Sequence, residues 1–168
     1  MYTLFISTFD KLITIGLLKN GEIIDKKIKE SDRNHSIYVM PMIEEILSVN
    51  ELTPSYLNEI IVVNGPGSFT GVRLGVTIAK TLAYTLDIPI KTITSLEAYA
   101  VSIESNDNKL ITISDLKGKF IGYFNSNNEV LEEFNLESIY KYLKSIDSIN
   151  PHIVNPIYIK GIEALNGK

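Results

Sequence analysis

The chain opens with two short apolar runs, residues 2–9 (YTLFISTF) and 12–18 (LITIGLL), parted by Asp10-Lys11. Both are rich in β-branched and aromatic side chains and read as strands. Lys19-Asn20-Gly21 follows, and Asn-Gly marks a hairpin because both positions tolerate positive φ. GEIIDKKIK then alternates into a third, more polar strand, so the opening predicts an antiparallel meander. Residues 31–36 (SDRNHS) form a polar break rich in helix N-cap types. After it Ile37, Met40, Ile43, Ile46 and Leu47 recur at helical spacing up to Val49. Pro41 falls in the first turn of this helix or kinks it. Leu52 to Ser55 starts a loop or short helix, and Ile60 to Val63 is a continuous apolar run, as in a strand buried on both faces.

A long helical pattern from Ser68 to Leu86 and an apolar run from Ile88 to Ile93 complete a βαβ unit with parallel strands. Ser95 to Glu104 reads as a short helix. Residues 110–114, 120–125 and 130–134 read as a second meander, and Leu136 to Ile146 as a helix. The stretch with Pro151 and Pro156 has too weak a pattern to assign.

Composition narrows the function. The 168 residues are 45% hydrophobic and 21% charged, an ordinary globular balance. There is no Cys, which excludes a disulfide framework, a thiolate zinc site and a thiol nucleophile. The net charge is −4. Neither residues 1–105 (9 basic, 12 acidic) nor residues 106–168 (7 and 8) are basic. The charge therefore gives no nucleic-acid footprint. No apolar run approaches the roughly 20 residues needed to span a bilayer. Met1 to Lys11 lacks a basic n-region and carries Asp10, so a cytoplasmic location is expected.

The densest local signal is Asn64 to Arg73, NGPGSFTGVR. A strand enters a Gly-Pro-Gly turn, and Ser68 or Thr70 can cap the helix that follows. Such a turn suits a capped connection or an anion site. It fails the P-loop template, because Val72 and Arg73 follow Gly71. It is only a loose variant of the dinucleotide fingerprint, and no acid ends the next strand to hold a ribose. Gly71, Gly75, Ala79 and Ala83 recur every four residues, a ridge of small side chains. Two uses fit that ridge: packing on the chain's own sheet, or on a helix of another subunit. His35 and His152 are the only histidines. They form no H-x-x-x-H, and His35 reads as a capping or hydrogen-bonding residue.

NGPGSFTGVRLG and the Ala79-Lys80-Thr81-Leu82-Ala83 helix resemble the TsaB (YeaZ) family of bacterial threonylcarbamoyladenosine modification of tRNA. Asn34-His35-Ser36 with Met40-Pro41-Met42-Ile43, Ile88-Pro89, and Thr94-Ser95-Leu96-Glu97-Ala98 resemble further family segments. Together they cover about residues 1–125. The resemblance implies an α/β, actin-like ATPase (ASKHA) fold of two ribonuclease H-like lobes with mixed sheets. Here residues 1–104 would form the N-terminal lobe, and residues 105–168 a shortened C-terminal lobe.

It also implies a non-catalytic scaffold and activator that binds a TsaD-like catalytic subunit, beside a TsaE-like ATPase. Homodimers through the same two helices, 35–49 and 68–86, are a further implication. The implied interface is His35, Met40, Ile43, Gly65, Pro66, Gly67, Ser68, Phe69, Thr70, Gly71, Arg73, Gly75, Ala79 and Ala83. On that reading Gly75→Leu disrupts docking and leaves the monomer folded. No cofactor of its own is expected. ATP and metal would belong to the partner, tRNA contact would be indirect, and no membrane is involved.

Two departures from the family matter. Ser7-Thr8-Phe9 stands where it usually has Asp-Thr-Ser. Its Asp-Ala-Arg-x-Gly-Glu falls on Ser114 to Lys119, or on Asp115 with a one-residue slip. Both weaken a case for ATP hydrolysis. The alternative is a nucleotide-binding enzyme or peptidase-like protein of the same superfold, using Ser7, Thr8 and Ser114.

Overall fold

A computed structural model describes residues 1–31, 34–102, 111–114, 120–124 and 133–158, with 111–114 and 120–124 as backbone strands. Strands β1 (Tyr2–Ser7), β2 (Leu12–Lys19) and β3 (Glu22–Glu30) form the predicted antiparallel meander. Asn20 and Gly21 both have positive φ, at 56° and 94°, as the Asn-Gly signal requires. Helix α1 (His35–Val49) follows, with Pro41 in its second turn on the exposed side. There its missing N–H costs one helical bond without ending the helix. Strand β4 (Leu57–Val63), helix α2 (Phe69–Leu86) and strand β5 (Ile90–Ile93) make the βαβ unit. Ser68 caps α2 by accepting the Gly71 N–H at 3.3 Å. Asp87 closes it in the left-handed region.

These strands form one mixed five-stranded sheet in the order β3-β2-β1-β4-β5, that of a ribonuclease H-like lobe. β1 pairs antiparallel with β2 and parallel with β4. Alternation along the strands sends Leu4, Ile6 and Thr8 to the face covered by α1 and α2. Thr3 and Phe5 face helices α3 (Ser95–Ser102) and α4 (Leu136–Leu143). On that second face Leu136 of α4 sits against Gly16, where any Cβ would strike it.

The expected second lobe is not evident among the described residues. Strands β6 (Ile111–Ser114) and β7 (Phe120–Phe124) pair antiparallel in a separate two-stranded sheet. The third strand expected at 130–134 falls mostly outside the described residues, as does the expected boundary at 104/105. α4 ends at Leu143 rather than Ile146, and the stretch left unassigned becomes a strap. Ile149 bridges to Ile90 of β5, and a short 3-10 turn over Pro151–Ile153 leads to Tyr158. No helix among the described residues is long and apolar enough to cross a membrane.

A largely buried charge pair joins β4 to β5, and its amine also ties α4 to the sheet. Lys91 Nζ lies 3.4 Å from Glu59 Oε2, with side chains only 14% and 7% exposed. The same amine donates to the Leu143 carbonyl at 2.8 Å, at the end of α4. Removing one member of a buried pair strands the other charge. Lys91→Met should therefore lower unfolding free energy by about 3–5 kcal/mol. Adding Glu59→Gln should recover much of it, as urea unfolding of both variants will show.

Candidate functional site

The turn between β4 and α2 is held from several sides. Phe9 O accepts the Ser68 N–H at 2.6 Å, and Gly65 O accepts that of Ser95 at 2.9 Å. The Ser95 hydroxyl donates to Pro66 O at 2.7 Å. Gly65 has φ 101° and lies against the Ile157 carbonyl, so a side chain is excluded there on two counts. A Cβ on Gly67 would strike Phe9 O.

The small ridge of α2 points inward. A Cβ on Gly71 would meet the Thr8 carbonyl, and one on Gly75 would meet the Thr8 hydroxyl. Thr8 Oγ1 donates to Gly71 O at 2.7 Å. Ala79 and Ala83 are fully or almost fully buried. This corrects the expectation for Gly75→Leu, because the ridge's close approach is to the chain's own strand. Ile43, Gly65 and Pro66 are also buried, and Gly67 is half-buried. His35 is buried too, and its Nε2 donates to the Asp10 carbonyl at 2.6 Å, a bonding role as the sequence suggested. Met40, Ser68, Phe69, Thr70 and Arg73 are exposed.

α1 and α2 both start near the β1–β2 turn, at His35 beside Asp10 and at Ser68 beside Phe9, and they touch each other. Their outward side mixes exposed apolar and polar residues with the charges of Glu44, one turn after Met40, and Arg73, one turn after Thr70. Ile37 is 57% exposed and Met40 36%, with Pro41 next to them. From α2 come Thr70, Thr77 and Thr81, with half-buried Leu74 and Ile78 on the flank away from Lys80. Sequence periodicity alone missed Ile37 as a surface residue, because apolar residues at helical spacing read as core.

The actin-like fold that the sequence resembles would imply a nucleotide at the strand ends, and the residues present do not fit one. Phe9 is 1% exposed and fills that place. Its ring meets Tyr99 edge-on at 5.9 Å and Phe134 at 5.9 Å, and Tyr99 lies 4.6 Å from Phe134. Ser7 is fully buried, and its hydroxyl has no hydrogen-bond partner among the described residues. No group of three or more His, Asp or Glu able to hold a metal occurs among the described residues. Asp115 lies outside them, and of Ser114 only the backbone is described.

Asp10 closes the same corner. Burial raises its carboxyl above the ordinary range, partly offset by the Leu12 N–H (2.8 Å) and by the charges of His35 and Lys11. Burial also raises the Tyr99 phenol, and the Asp10 charge and the hydrogen bond between the two groups raise it further. A carboxyl raised on folding above about 3.9 penalises the fold where it is ionised. That penalty disappears as pH falls through the folded-state value. Wild type should thus gain stability relative to Asp10→Asn between pH 7 and pH 4, by urea unfolding. A wild type that instead loses stability relative to Asp10→Asn as pH falls would show that Asp10 is better solvated than this. In the same assay at pH 7, Gly75→Leu should lose about 3 kcal/mol by overpacking.

Comparison with known proteins fits this geometry to a family. The profile of the family described as "TsaD: tRNA N6-adenosine threonylcarbamoyltransferase" matches residues 22–137. A Bacillus subtilis protein named tRNA threonylcarbamoyladenosine biosynthesis protein TsaB is 38% identical over 135 residues, 79% of this chain and 59% of its own length. The Escherichia coli protein of that name is 30% identical over 100 residues, 60% of this chain and 43% of its own length. The chain thus spans well under two-thirds of the length of these relatives. Among solved structures, YeaZ from Pseudomonas aeruginosa superposes with a TM-score of 0.53 at 24% identity, covering 60% of this chain and 50% of that one. An uncharacterized protein with similarity to peptidase YEAZ, from Pseudomonas aeruginosa, gives 0.68 at 15% identity, covering 95% and 99%. At these identities the likeness to the two structures is one of fold.

Proposed function

The chain belongs to the TsaB (YeaZ) family, which is related to TsaD, and on that premise we propose that it is a non-catalytic scaffold and activator. Its task is to bind a TsaD-like catalytic subunit in the complex that makes threonylcarbamoyladenosine next to the anticodon of tRNA. The observation that carries this reading is the outward α1/α2 face, which leaves Ile37 and Met40 in water beside exposed Glu44 and Arg73. Large exposed apolar side chains on neighbouring helices are what a partner helix pair buries. Met40, Phe69, Thr70 and Arg73 would touch the partner. His35, Ile43, Gly65, Pro66, Gly71, Gly75, Ala79 and Ala83 shape the face from beneath, and Gly67 and Ser68 set the start of α2.

A homodimer through the same face is the competing state. A TsaE-like ATPase joins the complex, tRNA is reached through the partners, and the setting is cytoplasmic. ATP and metal belong to the catalytic subunit, in keeping with a strand end filled by Phe9. The first 104 residues act as the docking lobe, and the segment from 105 stands for a reduced second lobe of the actin-like plan. The alternative of a nucleotide-binding or peptidase-like enzyme has no feature of the described residues in its favour.

Met40→Asp tests the docking face. It places a charge on an exposed position and should leave the unfolding midpoint nearly unchanged. Affinity for the catalytic subunit should fall at least tenfold, about 1.4 kcal/mol. Cells carrying only this variant should lose most threonylcarbamoyladenosine from tRNA, read by nucleoside mass spectrometry. Unchanged affinity and modification would reject the face and the role together.

A further inference from the structure

The strap from Asn150 to Tyr158 lies along the flank of α2 away from α1. It leaves β5 at Ile149, whose N–H donates to Ile90 O at 2.8 Å. Lys80 of α2 then grips it, donating to His152 O at 3.1 Å and to Val154 O at 2.9 Å. Tyr84 meets the His152 ring edge-on at 4.9 Å, and Val154 is 2% exposed. At its far end Ile157 N–H donates to Asn64 O at 2.7 Å, and the Ile157 carbonyl covers Gly65. Tyr158 stacks on Phe69 at 4.9 Å, and the Arg73 guanidinium lies over Phe69 at 5.2 Å. One end of the strap thus engages the turn that sets α2, and its middle is held by the Lys80 amine, buried Val154, the Tyr84–His152 ring contact and a long bond of 3.5 Å from Asn64 Nδ2 to Asn155 O.

We propose that this strap is a latch: seated by Lys80, it holds the Asn64–Ser68 turn and the first turn of α2 in the form that docks a partner. The proposal rests on the docking reading above and adds its regulation. Docking a preordered surface avoids the entropy of ordering it. A segment with few buried contacts opens far more readily than the sheet beneath it. Releasing the strap frees Asn64 O, uncovers Gly65 and removes the ring stacked on Phe69. The first turn of α2 then frays, and the docking face loses one edge.

The test uses the full chain with Lys80→Met, which keeps the stem and removes the amine, and Ile157→Pro, which removes the N–H bonded to Asn64. Hydrogen exchange is read at Ser68, Gly71 and Val72, whose N–H groups are bonded at this turn. Affinity for the catalytic subunit is read in parallel. Both variants should speed exchange at these amides at least tenfold, leave those of β1 and β4 slow, and weaken docking threefold or more. Unchanged exchange at the turn in Ile157→Pro overturns the latch, since the turn then holds without the strap. Faster exchange with undiminished docking overturns the regulation. Met40→Asp, which touches neither strap nor turn, separates the two ideas. If it also leaves docking intact, the docking face is wrong, and the latch is judged on exchange alone.

Discussion

Thr8 and the glycine face of α2 occupy the contact on which the other features depend. The Thr8 hydroxyl donates to Gly71 O, and the Thr8 backbone fills the place a side chain on Gly71 would need. Such an approach brings helix backbone onto strand backbone, with no layer of side chains between. It sets the depth of α2 on the sheet. That depth in turn puts Gly67 against Phe9, lets Ser68 donate to Phe9 O, and leaves Phe9 nowhere to go but the aromatic cluster with Tyr99 and Phe134. Two glycines in the first half of a helix cost about 1 kcal/mol each against alanine. The dense packing they allow offsets that cost.

One consequence is a division of labour around the sheet. The strand-end corner is closed by Phe9, Asp10 and Tyr99. The opposite property appears on the outside of α1 and α2, where apolar side chains remain in water although inward positions of the same helices are fully buried.

Much of this was legible in the sequence. Period-two and period-four patterns placed the meander, α1 and the βαβ unit, and Ser68 behaves as the cap its position suggested. The direction of the Gly71, Gly75, Ala79 and Ala83 ridge was not legible. Small residues every four positions announce a close approach but do not say to what. The answer lay in Thr8, which reads as an ordinary strand residue. The strap was hidden for a different reason. Its bonds run through main-chain groups and Lys80, which leave no hydrophobic period. The Asp10–Tyr99 contact joins residues far apart in the chain, and only the fold brings them together.

The claim that α2's small residues serve this chain's own packing is tested most directly by a double-mutant cycle in urea. Gly75→Ala is measured in wild type and in a Thr8→Ala background. A Cβ at Gly75 strikes the Thr8 hydroxyl but lies an ordinary 3.5 Å from Thr8 Cβ. Gly75→Ala should therefore destabilise wild type and become neutral or stabilising once Thr8 is alanine, with a coupling of about 1 kcal/mol or more. The contrary result is a Gly75→Ala that stabilises both backgrounds equally, by the roughly 0.5–1 kcal/mol that helix propensity alone predicts. The ridge would then be free of the strand, and the account of α2 would fail.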